Sequence, residues 1–201
     1  MTFVFKRLIL LTSIAAAFAA DKDKPAFHVL PAGDYPNHQT SEKVTIAATV
    51  FETDEQAQPA FGKNHPYRFG ILPVLVVIQN DSAQAVRVES LKAEYVMPDR
   101  LRVENTPAQD LRFLKSGKKP TMVPTPISGV KIGRNKQPLS GWEIEGRAFS
   151  ARVIPPGQSA SGFFYFQTGH RSGSTLYLSG LQDAATNRDF LYFEIPLEGV
   201  K

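Results

Sequence analysis

The chain has 201 residues, 42% of them hydrophobic, with a formal net charge of +4 and no cysteine. That is enough for one ordinary domain with a real core; the missing cysteine excludes disulfides, thiolate metal sites, a cysteine nucleophile and a lipidated cysteine. The charge makes no case for nucleic acid: without Lys6 and Arg7, 21 basic residues face 19 acidic ones.

Lys6 and Arg7 precede an apolar run over residues 8–17, broken only by Thr12 and Ser13. Ala17-Phe18-Ala19 then supplies the small-x-small pattern of a cleavage site. Basic, apolar and small-residue regions in that order read as a secretory signal peptide over residues 1–20. The expected product is exported, periplasmic or extracellular, and bacterial, since a domain without disulfides must be held by packing alone. The same segment retained as an anchor is the alternative. No later run approaches the ~18 apolar residues of a membrane helix, so no transmembrane segment is expected after cleavage.

Residues 21–42 carry prolines, His28 and His38 but no periodic apolar pattern, and read as a flexible leader. Residues 43–51 alternate, with Val44, Ile46, Ala48 and Val50 on one side, and predict a strand. Thr53-Asp54-Glu55-Gln56 matches a capping box and predicts a turn or two of helix, limited by Pro59 and Gly62. Residues 68–80 predict a strand covered on both faces, because Leu75 to Ile78 is continuously apolar; Pro73 belongs near its start or faces an unpaired side. Asn80-Asp81-Ser82 is turn chemistry. Residues 85–96 then read as the partner strand, with Val86, Val88, Leu91, Ala93 and Tyr95 inward and a bulge at the change of parity.

Thr106-Pro107 opens a short helix to about residue 115. Residues 116–141, with four prolines and four glycines, predict a long loop. Glu143 and Glu145 share parity on an expected strand, and Trp142 reads as the anchor where the chain re-enters the core. Residues 147–154, 162–168, 175–181 and 190–197 predict further strands, the last with Leu191, Phe193, Ile195 and Leu197 on one side. Short strands punctuated by Gly and Pro give an all-β fold, an immunoglobulin-like antiparallel β-sandwich over residues 43–201, with one or two short helices and a long basic loop.

Several of these motifs carry a resemblance. Phe69-Gly70-Ile71-Leu72-Pro73-Val74, Ile78-Gln79-Asn80-Asp81-Ser82 and Ile154-Pro155-Pro156-Gly157 with Gly162-Phe163-Phe164-Tyr165-Phe166 are joined by Val44-Thr45-Ile46-Ala47-Ala48 and the Glu52-Thr53-Asp54-Glu55 turn. Together they resemble a family of uncharacterised exported bacterial proteins with an immunoglobulin-like sandwich. The resemblance spans roughly residues 43 to 197 and implies a fold and a compartment. It implies no catalytic residue.

Catalytic patterns are sparse. Gly157-Gln158-Ser159-Ala160-Ser161-Gly162 comes near a serine nucleophile elbow, but a proline turn precedes it and a strand follows. The histidines lack metal-ligand spacing, and His65 before Pro66 reads as a loop residue. The paired acids Asp54/Glu55 and Glu143/Glu145 suit a helix dipole and a wet strand face. No phosphate loop occurs. The expectation is therefore a non-enzyme without cofactor or metal.

Two groups of residues remain as partner-binding candidates. Between residues 111 and 141 stand Arg112, Lys115, Lys118, Lys119, Lys131, Arg134 and Lys136 with no acid among them, a stretch suited to an anionic envelope polymer or an acidic envelope protein. Tyr177 and Tyr192 have opposite parity to their leucine neighbours and are expected on an outer face, joined by Tyr165. The function expected is an exported binding or scaffolding β-sandwich. The alternatives are a carbohydrate-binding module that uses those tyrosines, or a hydrolase with an unrecognised site. The oligomeric state is not legible.

Overall fold

A computed structural model describes residues 27–114, 139 and 141–198. The expected signal peptide and Lys115, Lys118, Lys119, Lys131, Arg134 and Lys136 lie outside the described residues. The described strands are β1 (His38–Ser41), β2 (Val44–Val50), β3 (Leu72–Asn80), β4 (Val86–Arg87), β5 (Lys92–Val96), β6 (Arg102–Glu104), β7 (Val153–Ile154), β8 (Gln158–Phe166), β9 (Thr175–Ser179), β10 (Gln182–Asp183) and β11 (Phe193–Pro196). They form a four-stranded sheet in the order β1-β2-β3-β8, a second four-stranded sheet in the order β11-β9-β5-β6, and a three-stranded sheet in the order β10-β4-β7. Every strand pair is antiparallel. Two helices, α1 (Asp54–Phe61) and α2 (Trp142–Gly146), and three 3-10 turns complete the described chain.

Side chains alternate across a strand, so an unbroken apolar run must find cover on both faces. In β3, Leu72, Val74, Val76 and Ile78 enter the space between the two large sheets. There they meet Ala93 and Tyr95 of β5, Leu176 and Leu178 of β9, and Phe193 and Ile195 of β11. Leu75 and Val77 point the other way, into a second core roofed by Ala57, Ala60 and Phe61 of α1, Leu111 and Ile144. Phe163 and Tyr165 of β8 fill that second core, with the Phe163 ring 4.7 Å from Phe61 and 4.9 Å from Phe51. The result is an antiparallel sandwich with a layer of short helices on its first sheet.

Local devices fix this arrangement. Thr53 and Gln56 form the reciprocal capping box at the start of α1, and Gly62 ends the helix at a φ of 61°. Asn80 is fully buried. Its amide donates to the carbonyls of Gln84 (2.8 Å) and Ile154 (2.9 Å) and accepts from the amide N–H and hydroxyl of Ser82, so loop 81–85 is tied to β7. Gly162 is required by crowding: a Cβ there would lie 2.6 Å from the backbone nitrogen of Phe149, where residues 147–149 run beside β8. Tyr95 accepts the N–H of Arg171 at 2.8 Å and stands 3.2 Å from His170 Nδ1, which pins the 169–173 turn.

Several expectations need correction. Residues 27–41 are no free leader: β1 pairs with β2, Ala32 is fully buried, and Phe27, Val29 and Tyr35 pack on the second core. Residues 85–96 do not return beside β3, whose neighbours are β2 and β8. The parity change after Val88 marks a crossing from the small sheet to the second large sheet. Residues 142–146 are α2 rather than a strand; Ile144 is its buried anchor, whereas Trp142 is 73% exposed. Leu191 lies before β11 and is 74% exposed. His65 is buried, with Nδ1 2.6 Å from Asp54 and Nε2 2.9 Å from the Gly62 carbonyl.

Candidate functional site

Among the described residues, the central strands of the first sheet are covered on both faces, whereas the second sheet is covered on its inner face alone. The outer face of the second sheet is therefore a regular surface open to a partner. Across it runs one cross-strand row, Glu194 of β11, Tyr177 of β9, Glu94 of β5 and Glu104 of β6, each opposite the next. The alternation that buries Leu176 and Leu178 turns Tyr177 outward between them.

Tyr192 precedes β11 and stacks on Tyr177, with ring centroids 5.2 Å apart and 25° between planes. From the β6 side Arg102 places its guanidinium 4.9 Å from the Tyr177 ring centroid and pairs with Glu94 at 2.5 Å. Tyr177 is thus held between a cation and a second ring, while Tyr192 is 53% exposed. A packed tyrosine pair on a strand surface offers a rigid apolar platform with polar tips. Glu94 and Glu104 are like charges directly opposite each other, an arrangement that costs stability unless countered. Among the described ion pairs Arg102 counters Glu94 alone.

Tyr165 does not join this face. It is 1% exposed in the second core, its hydroxyl donates to the Ile144 carbonyl at 2.7 Å, and burial pushes its phenol up. Residues 162–166 of β8 are buried on both faces, so parity there cannot mark an outer side. Of the basic candidates, Arg112 is described. Its Nε donates to the Gln109 carbonyl at 2.8 Å, and its guanidinium lies 3.5 Å from Glu145 and 5.4 Å from the Phe113 ring centroid. It sits beside α2, through Glu145, and not in a strand of the second sheet.

Two clefts among the described residues carry little chemistry. One of about 350 Å³ is lined by Ser159, Ser161, Gln79 and Gln158 with Val77 and residues 29–31; no histidine or carboxylate lines it. The near-elbow serines lie at the start of β8, where Ser161 opposes Val77 of β3. A second of about 310 Å³ lies over the edge of β8, with Glu145 at its rim and Phe149, Phe163 and Phe164 in its walls. Among the described residues no group of three or more His, Asp or Glu could hold a metal, and no helix is long and apolar enough to cross a membrane.

Shifted carboxyls belong to surface ion pairs and turns. Arg68, then His65, hold the Asp54 carboxyl below its ordinary range. Arg188 does the same for Glu42, and the Thr186 and Ala185 amides for Asp183. Neither Arg102 nor the acid row was singled out in the sequence. The cross-strand register that unites them depends on where β5 and β6 turn.

No protein-family model matches the chain, and no curated protein matches it. Among solved structures it is similar to Northeast Structural Genomics Consortium target SoR45, at 11% identity over 79% of this chain and 90% of that one, with a TM-score of 0.34. It is also similar to MPT63, a secreted protein from Mycobacterium tuberculosis, at 12% identity over 82% of this chain and 94% of that one, with a TM-score of 0.34.

Proposed function

We propose that this is an exported bacterial protein, an immunoglobulin-like β-sandwich that binds rather than catalyses, and that it holds an envelope protein on the outer face of its second sheet. One observation carries the reading: the Tyr177–Tyr192 stack, braced by Arg102, lies on a sheet face that no described helix covers. The basic, apolar and small-residue order of residues 1–20 supports export. Rigid aromatic side chains flanked by arginine are the residue types that dominate binding hot spots. An anionic polymer suits this face less well, since Glu94, Glu104 and Glu194 cross it; that partner would belong to the basic stretch, of which Arg112 is described.

Tyr177→Ala with Tyr192→Ala tests the proposal. The purified wild-type protein should retain an envelope protein that the double variant, folded by circular dichroism, loses at least tenfold. Equal retention by both would refute it. A carbohydrate ligand is the second reading, favoured by the open face of Tyr192, since an exposed ring can stack on a sugar. Glycan-array binding lost with Tyr192→Ala would select it over a protein partner.

A further inference from the structure

The two edges of the second sheet are finished differently. In the β5–β6 ladder Met97 N–H bonds to the Leu101 carbonyl and Asn105 N–H to the Ala93 carbonyl. The hydrogen-bonded positions of β6 are therefore the odd ones, and Arg102 and Glu104 turn their N–H and C=O groups away from β5. No described group meets them. At the opposite edge, β11 is closed: Gln39 accepts the Glu194 N–H at 2.9 Å, Asn37 donates to the Glu198 carbonyl at 2.9 Å, and Pro196 has no N–H. The free edge of β8 is closed over its second half, by Arg147 and Phe149 at Phe163 and by Asn105 and Thr106 at Tyr165; its first half, residues 158–161, is uncharged and has no self-complementary order of charges.

The open edge reads Arg102-Val103-Glu104, and that order complements itself. With two copies antiparallel about a twofold axis at Val103, Arg102 of one stands opposite Glu104 of the other, twice. Each such pair exchanges two main-chain hydrogen bonds, and Glu104, set against Glu94 within its own sheet, gains a counter-charge. We propose that β6 is the contact through which two copies of this chain associate, joining their second sheets into one eight-stranded sheet. A closed twofold interface of this kind uses the same patch on both copies, and strand addition supplies its affinity through the main chain. With so short a strand the dimer is weak and depends on concentration. It also sets two Tyr177–Tyr192 pairs on one continuous face.

The test is analytical ultracentrifugation over a concentration series, with two variants. Wild type should move from monomer towards dimer mass as concentration rises. Glu104→Arg places an arginine opposite Glu94 of its own sheet, which suits the fold, but opposite Arg102 of the second copy; it should stay monomeric with an unchanged or raised Tm. The exchange Arg102→Glu with Glu104→Arg restores opposite charges across the axis and should restore the dimer. A wild type that remains monomeric throughout, a Glu104→Arg variant that dimerises as well as wild type, or an exchange variant that stays monomeric would each overturn the proposal.

Discussion

Replacing Asn80 by alanine tests whether a turn motif is in fact a structural hub. Asn80 is 0% exposed and its amide makes four hydrogen bonds, two to carbonyls and two from Ser82. A hydrogen bond contributes about 1 kcal/mol net, and a buried group left without a partner costs about 1–3 kcal/mol. The Gln84 carbonyl keeps the Ser82 hydroxyl at 2.9 Å, so orphaning is partial and the loss should be about 3–4 kcal/mol. For a chain of this length that lowers Tm by roughly 6–16 °C. Urea denaturation followed by tryptophan fluorescence and circular dichroism reads it as a lower midpoint at unchanged slope. Asn80→Asp should cost more, since it turns a buried carboxylate towards two carbonyls. A loss under about 1 kcal/mol for alanine would refute the assignment, because four net contributions of the usual size could not then be present.

Other consequences are as direct. Gly162→Ala should lower stability by about 1–3 kcal/mol, the usual cost of overpacking, because the new Cβ meets the Phe149 backbone rather than a movable side chain. Thermal unfolding checks it, and an unchanged Tm would mean that residues 147–149 do not lie against β8. Asp54 titrates below its ordinary range because of Arg68 and then His65. A depressed carboxylate contributes stability above its unfolded pKa of about 4 and loses it as pH falls through the folded value. Asp54→Asn should therefore make the decline of Tm on acidification shallower, and an identical decline in both proteins would refute the ion pair.

What could be read in advance follows from how local each signal is. β2, β3 and the Thr53 capping box were legible because the period, the apolar run and the hydroxyl–amide spacing each lie within a few residues. The outward turn of Tyr177 was legible for the same reason, through Leu176 and Leu178; Tyr192 is exposed too, but Leu191, the neighbour that argued for it, is exposed beside it and lies before β11. Tyr165 was not: residues 163–166 are all ring-bearing, and both faces of that half of β8 are buried, so alternation gives no sign of which side meets solvent. Trp142-Glu143-Ile144-Glu145 alternates like a strand, yet Gly141 and Gly146 bracket a single helical turn whose one inward side chain is Ile144. The crossing between β4 and β5 looked like a bulge because a change of parity is common to both. The row Glu194–Tyr177–Glu94–Glu104 requires three register assignments at once, and nothing in one chain's sequence supplies those.

The double cover of β3 bears on how the chain avoids misalignment. A strand with one wet face is kept in frame by hydrophobicity, since slipping by a single residue would expose its apolar set. In β3 both faces are apolar, so such a slip would exchange one oily set for the other at little penalty. Correct alignment must then be imposed from the ends: by Pro73, which can donate to neither neighbour, and by the Asn80 amide, which finds its four partners in a single position. Those two residues act as stops for the central strand, and misfolded species should be richest in variants that lack them.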